Sequence, residues 1–418
     1  MSAPAHVALF SGVRRRIRRR VGLTASAPPA PRPLVRVAVD KLLMGGDSGL
    51  DAARYSRLVE EPLRPSTPIA ASPHAQLLRT WHEQGDAIFA PAVFEQTAYY
   101  RNAARNIEIF GHYFDARCPS EIEAGARRFV DCFRGAGTSL PHQRGQSPAG
   151  SRLRVRAIRF SDCYQVVDGH HRAAMAAVRG DERVLAELEP GEVMTPLQTM
   201  LLDVLWLNGR KELYQPVDAP EIRRDWVLVR RCTDRLRKML DFLDARGIGA
   251  GASYLDVACS YGWFVHRMLG CGFGAAGVER DPLALRVGRT VYGLPAARLH
   301  RADAVTFLAA KRRRWDAVSC FSILHHLVRG QGAVSAAAFA RLLDDATGKV
   351  LFLDTGQNHE GWYRQSLAQW DAGYIERWLR AHTSFTHIVR LGPDGDGAGR
   401  FEGQFGRMLF ACYRDGPR

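Results

Sequence analysis

From Tyr254 onward, short apolar runs alternate with amphipathic ones. The runs "YLDVAC", "GAAGVER", "ARLHRAD", "WDAVSCFSIL" and "GKVLFLDTG" are bounded by Gly, Asp or Ser, as expected of strands buried on both faces. Between them, "GWFVHRMLG", "PLALRVGRTVYG", "AVTFLAAK", about 333–344 and about 361–380 carry helical spacing. Two further strands, "THIVRLG" and "RMLFACYR", flank a Gly/Asp-rich stretch from Pro393 to Gly403. The pattern predicts an α/β unit over 225–418, with a mostly parallel sheet and a C-terminal antiparallel hairpin.

The part before it is mixed. "SEIEAGARRFVDCFRG" places Ile122, Ala126, Phe129, Val130 and Phe133 on one helical face, with Ser120 as N-cap. A Gly/Pro/Ser-rich loop follows, then "LRVRAIRF", "YQVVDGHHRAAMAAVRG" and "RVLAEL", read as strand, strand, helix, strand. Helices are expected over 195–213 and about 224–246. The region 36–220 is thus expected to be a smaller α+β domain.

Composition changes this picture mainly at the N-terminus. The net charge is +15, yet Arg14, Arg15, Arg16, Arg18, Arg19, Arg20, Arg32 and Arg36 all precede the first acid, Asp40. Residues 1–35 therefore read as a basic, disordered tail and linker, suited to an anionic surface. No run approaches the ~20 apolar residues of a membrane span. The eight cysteines form no CxxC pair; with no secretory signal, they fit a reducing cytoplasm, and no metal cluster is expected.

The strand ends carry the candidate chemistry. Asp256, Glu279, Asp303, Ser322 and Asp354 each fall where a parallel strand finishes, and ligands of such sheets bind at the carboxyl ends. With these motifs in order, 225–418 resembles the class I S-adenosylmethionine-dependent methyltransferases: "LDVACSYG", "AGVERD", "RADA" and "FSILHHL" stand where that family has its acid, small-residue turn and later motifs. The resemblance implies a Rossmann-like, seven-stranded, mostly parallel sheet and S-adenosyl-L-methionine as cofactor. Asp256, Ala258, Ser260, Tyr261 and Gly262 would form the methionine-side loop. Glu279 would take the ribose hydroxyls, Asp303 and Ala304 the adenine, and Phe321 and Ser322 the methionine end. Tyr261 and Phe321 would also face the sulfonium. Ala258 departs from the family's usual glycine, so either its local backbone is ordinary or cofactor affinity is reduced.

Transfer to oxygen needs a proton acceptor. His325 is the first candidate; His326, His359, Glu360 and Asp354 are the others. A second element, "VVDGHHRAAMAAVRG", resembles the ParB/sulfiredoxin-like fold over about 151–210, which implies phosphate contacts from Gly169, His170, His171 and Arg172. The alternative is a purely structural role, with Asp168 capping the helix and pairing with Arg172. The leading functional expectation is methyl transfer to an oxygen of a small-molecule or sugar- or lipid-linked acceptor. An RNA methyltransferase, and a ParB-like nucleotide- or nucleic-acid-binding protein with a degenerate methyltransferase half, are the alternatives.

Overall fold

The computed structural model describes residues 32–45, 66–135, 152–204, 209–222, 224–310 and 313–415. The Arg-rich stretch and most of the loop after Gly135 lie outside them. Two main sheets organise the chain. The first has five strands: β1 (Leu34–Ala38), β2 (Leu42–Leu43), β3 (Leu153–Ile158), β4 (Tyr164–Asp168) and β5 (Arg183–Val193), in the order β1-β5-β3-β4-β2. Its apolar face, with Val37, Val155, Val166 and Ala186, packs on the helices Pro73–Gln84 and His170–Arg179. Glycines in left-handed conformation begin and end the latter helix, Gly169 at φ 94° and Gly180 at φ 81°.

A two-stranded ribbon, β6 (Glu212–Leu213) with β7 (Val227–Leu228), lies between the sheets in the sequence. It corrects two helix expectations. The helix near 195 stops at Asp203 and begins with a capping box between Thr195 and Gln198. The expected long helix forms only over Thr233–Asp244, because Val227 and Leu228 pair with β6 and Cys232 turns left-handed at φ 64°.

The second sheet contains β8 (Ser253–Val257), β9 (Gly274–Glu279), β10 (Leu299–Arg301), β11 (Trp315–Cys320), β12 (Thr347–Leu353), β13 (His387–Pro393) and β14 (Met408–Tyr413). Its order is β10-β9-β8-β11-β12-β14-β13. Only the pairings made by β14 are antiparallel. This is the expected Rossmann-like, mostly parallel, seven-stranded sheet closed by an antiparallel hairpin. Apolar clusters cover both faces, one around Tyr254, Phe264 and Phe352, the other around Leu255, Phe339 and Phe410. The order reverses between β8 and β11, which opens a crevice at their carboxyl ends.

Other local expectations shift. Ser120 does not cap its helix: a 3-10 turn, Pro119–Glu121, leads into Ile122–Phe133. The helix expected near 361–380 forms over Ala372–His382, where the Asp371 side chain accepts from Tyr374 N–H, and turns occupy the residues before it.

Candidate functional site

β8 delivers Asp256 to the crevice, buried at 2% exposure. Ser319 on neighbouring β11 donates to its Oδ1 at 2.7 Å, and Tyr254 hydroxyl lies 2.6 Å from Ser319 Oγ. Oδ2 has no hydrogen-bond partner. Burial pushes the carboxyl up to about 7; the Ser319 hydrogen bond and nearby Arg235 oppose that rise.

The turn after β8 keeps a left-handed backbone without glycine at two positions. Ala258 has φ 60°, Ser260 φ 53° and Gly262 φ 79°. An ordinary backbone is therefore ruled out at Ala258. Such a residue costs about 1 kcal/mol, a cost typical of ligand-holding turns. Two groups hold the turn in place. Glu279, closing β9, accepts from the backbone N–H groups of Ser260 (3.0 Å), Arg280 (2.8 Å) and Asp281 (3.0 Å). Gln215 spans the turn: its Nε2 donates to Cys259 carbonyl and its Oε1 accepts from Trp263 N–H, each at 3.2 Å. Part of the helix N-terminus at Gly262 is thus already engaged. Gln215 was not foreseen, since a lone Gln in "YQPVD" carries no sequence signal.

Asp303 is exposed and caps the helix Ala304–Ala310, its Oδ1 accepting from Val305 and Thr306 N–H. Phe321 packs at the end of β11 against Phe264, ring centroids 5.0 Å apart. Two expected cofactor contacts point elsewhere. Tyr261 is buried against Leu197, Met200, Trp226 and Val287, in the core joining residues 197–226 to the sheet, and does not line the crevice. Ser322, at φ 59°, binds Asp354 through its N–H at 2.7 Å, while its Oγ accepts from Arg407 at 2.8 Å.

These last contacts belong to a buried charge network. Arg235 donates to Asp396 (2.7 Å) and Asp354 (3.0 Å), and Arg230 donates through Nη1 to Asp394 (3.0 Å). Arg407 forms a bidentate pair with Glu360, and its backbone N–H donates to Asp394. All seven side chains are buried. Burial alone would raise the Asp354 carboxyl, but Arg235, Arg230 and Arg407 hold it below its ordinary value. The sequence hid this network: "PDGDG" read as a turn, and Arg230 and Arg235 read as parts of one helix.

The network removes Asp354 and Glu360 as proton acceptors, since both are engaged by guanidiniums. His325 also changes role. Its Nδ1 accepts from Gly356 N–H at 3.1 Å, so the proton of the neutral ring sits on Nε2. Burial pushes its pKa down to about 2, with Arg407 adding to the effect. His325 is thus placed as a donor rather than as a base. His359 is exposed and donates through Nε2 to Phe405 carbonyl at 2.5 Å, which leaves Nδ1 as its basic nitrogen. His326 is exposed, with Nδ1 2.9 Å from Gln331 Oε1.

At the upstream element the histidines turn inward, against the expectation of phosphate contact. His170 Nε2 accepts from Gly45 N–H at 3.3 Å, His171 Nε2 lies 3.0 Å from Tyr99 hydroxyl, and both rings are buried. Burial pushes His170 down to about 4. Arg172 pairs with Asp168 at 3.6 Å, but Asp168 makes no cap. Among the described residues, no group of three or more His, Cys, Asp or Glu could hold a metal ion. No described helix is long and apolar enough to cross a membrane.

The residues fit S-adenosylmethionine. The partnerless Asp256 Oδ2 suits a cationic donor, the Glu279 carboxylate lies at the adjacent strand end, and the left-handed turn brings backbone close between them. No family model matches the chain. A stretch of 143 residues is 33% identical to the ubiquinone biosynthesis O-methyltransferase of Xanthomonas oryzae pv. oryzae, covering 34% of this chain and 57% of that protein. The match thus spans a little over half of that relative. Among solved structures, the bifunctional kinase-methyltransferase WbdD is 19% identical, with a TM-score of 0.42, over 52% of this chain and 46% of that one. Magnesium protoporphyrin IX methyltransferase from Synechocystis PCC 6803, solved with bound SAM, is 19% identical, with a TM-score of 0.33, over 43% and 78%. By sequence similarity to a named O-methyltransferase and by the strand order of its own second sheet, the chain is similar to the S-adenosylmethionine-dependent methyltransferases.

Proposed function

We propose that this protein is an S-adenosylmethionine-dependent methyltransferase acting on an oxygen of a small-molecule or sugar- or lipid-linked acceptor. The observation that carries the reading is Asp256 Oδ2, buried and partnerless at the end of β8 beside a left-handed turn. A lone acceptor oxygen in such a place calls for a cationic donor. The division into units 36–220 and 225–418 belongs to this proposal. So does a cytoplasmic location, which the eight unpaired cysteines favour.

The cofactor, when bound, supplies an electrophilic methyl group; the chain supplies alignment. Glu279 receives one ribose hydroxyl on Oε2, where the turn leaves a lone pair unused. Asp303 keeps one oxygen for the adenine amino group, with the Ala304 N–H beside it. Phe321 packs against the methionine end, and Asp256 Oδ2 takes the amino group. His325 Nε2–H donates to the acceptor oxygen and orients it, while His359 Nδ1 accepts its proton. Proximity and in-line placement supply most of the rate. Phosphate at the Gly169–Arg172 helix start is carried as a further proposal, resting on backbone N–H groups and Arg172; phosphate calorimetry on Arg172→Ala tests it.

The test of the main reading is incubation of the purified full chain with methyl-labelled cofactor and cell extract, followed by identification of the labelled product. S-adenosylhomocysteine should raise the melting temperature by mass action. No shift at saturating ligand together with no labelled product would end this reading.

A further inference from the structure

The crevice has two ends with opposite unmet needs. At β8 an acceptor atom, Asp256 Oδ2, lacks a donor. Beyond β12 the atoms without partners include donors: Arg230 Nε and Nη2, Gln357 Nε2 and the Thr355 hydroxyl. Arg230 is the most informative of them. Its side chain is 0% exposed, and its one hydrogen bond runs from Nη1 to Asp394. Nε and Nη2 form the side-on edge of the guanidinium, the pair of parallel N–H groups that matches a carboxylate or phosphate. That whole edge is without an acceptor.

The surroundings bear on what the edge is for. The Phe405 ring lies over the Arg230 guanidinium, 3.8 Å from ring centroid to Cζ, with the Tyr214 ring at 6.0 Å. An aromatic face takes up part of a cation's charge but satisfies no N–H. Arg230 is also one of the charges holding Asp354 ionised, and Asp354 binds Ser322 at the end of β11. Arg230 Nη1 binds Asp394, Asp394 takes the Arg407 backbone N–H, and Arg407 Nη1 holds Ser322, so the guanidinium is linked to the end of β11. Phe405 lies on the loop between β13 and β14, whose backbone is anchored through Asp394, Asp396 and Gly397, so the ring rather than the loop is the part free to swing. Outside it stands Trp362, 50% exposed, with ring centroids 5.7 Å apart.

We propose that the side-on edge of Arg230 receives an oxyanion, a carboxylate or phosphate carried by the methyl acceptor, and that Phe405 is the lid over it. The inference rests on the methyl-transfer reading above and narrows its acceptor to an acidic one. In the closed state the Phe405 face covers the guanidinium. On acceptor binding the Phe405 ring swings aside while its carbonyl keeps His359 Nε2–H, and two charge-assisted hydrogen bonds replace the ring contact.

The experiment uses the full chain saturated with S-adenosylhomocysteine and titrated with benzoate and with inorganic phosphate, against chloride at matched ionic strength. Arg230→Lys keeps a cation for Asp394 and removes the fork; Phe405→Ala removes the lid. The expected result is a probe-dependent rise in melting temperature in the wild type, about tenfold weaker probe affinity in Arg230→Lys, and equal or tighter affinity in Phe405→Ala. Equal affinity in wild type and Arg230→Lys would overturn the proposal, as would no response beyond chloride in wild type and Phe405→Ala. An about tenfold loss of S-adenosylhomocysteine affinity in Arg230→Lys would overturn it too, by giving the fork to the cofactor's carboxylate. If Arg230→Lys does not fold, Phe405→Ala decides alone. Failure of wild type to bind S-adenosylhomocysteine would instead strike the parent reading, which the probe titration does not test.

Discussion

Glu360 and Arg407 face each other in a buried, two-pronged pair, Nε to Oε1 at 2.9 Å and Nη2 to Oε2 at 2.8 Å. The third arm of Arg407 holds Ser322, so the pair fixes the turn after β11 from two loops away. Removing one partner strands the other in a dry interior. Glu360→Ala is expected to lower unfolding free energy by about 3–5 kcal/mol in denaturant titration, and Glu360→Gln by less. A loss under about 1 kcal/mol would mean that the pair is solvated in solution.

Asp256 should make cofactor binding pH-dependent. Its folded value of about 7 stands above its ordinary 3.8 because burial penalises the charge. Its stabilising contribution is thus complete below the ordinary value and lost as pH rises through about 7. A ligand bearing a cationic donor favours the ionised form, so affinity should rise with pH and level off above about 7. Calorimetry with S-adenosylhomocysteine from about pH 5 to 8 should show close to a tenfold fall per unit on the acid side. Asp256→Asn should bind weakly with no such slope.

Ala258 at φ 60° carries a Cβ where glycine would be unstrained. Ala258→Gly is expected to stabilise the ligand-free chain by up to about 1 kcal/mol, less the entropy that glycine returns to the unfolded state. Destabilisation by more than that would mean that the methyl group packs against something the turn requires.

Gln215 closes the same turn from outside the sheet. Gln215→Ala leaves Trp263 N–H without its acceptor, while Cys259 carbonyl loses one of two donors and keeps Gly262 N–H at 2.8 Å. The expected cost is about 1–3 kcal/mol, with a parallel loss of S-adenosylhomocysteine affinity; unchanged affinity would show that the turn holds itself.

The two histidines should separate kinetically. His359→Ala should lower kcat more than it raises KM, since Nδ1 would be the proton acceptor. His325→Ala should raise KM more than it lowers kcat, as for a group that orients the acceptor. The opposite pattern would return the role of base to His325.

The sheet was legible because both-face burial writes continuous apolar strands, and because the acids at Asp256, Glu279 and Asp303 recur at their ends. What stayed hidden has a common cause. Gln215, Asp394 and Asp396 act across long sequence separations, where no local periodicity records the partner. Arg235 looked like one more polar residue on a helix, although its guanidinium is buried between Asp354 and Asp396. His170 and His171 looked like contacts for a ligand, yet their partners, Gly45 and Tyr99, come from distant segments. At Tyr261 the strand-and-turn pattern located the backbone correctly, but not which way the ring faces.

β14 lies inside the sheet, between β12 and β13. On the ribosome β13 emerges first and has no neighbour to join, so the nascent sheet stops at β12 with that edge open. The wall behind Asp354 is then incomplete, with Arg407 still unmade and Glu360 an unpaired acid. Cofactor recognition should therefore switch on abruptly, when β14 slots into place, rather than build up strand by strand.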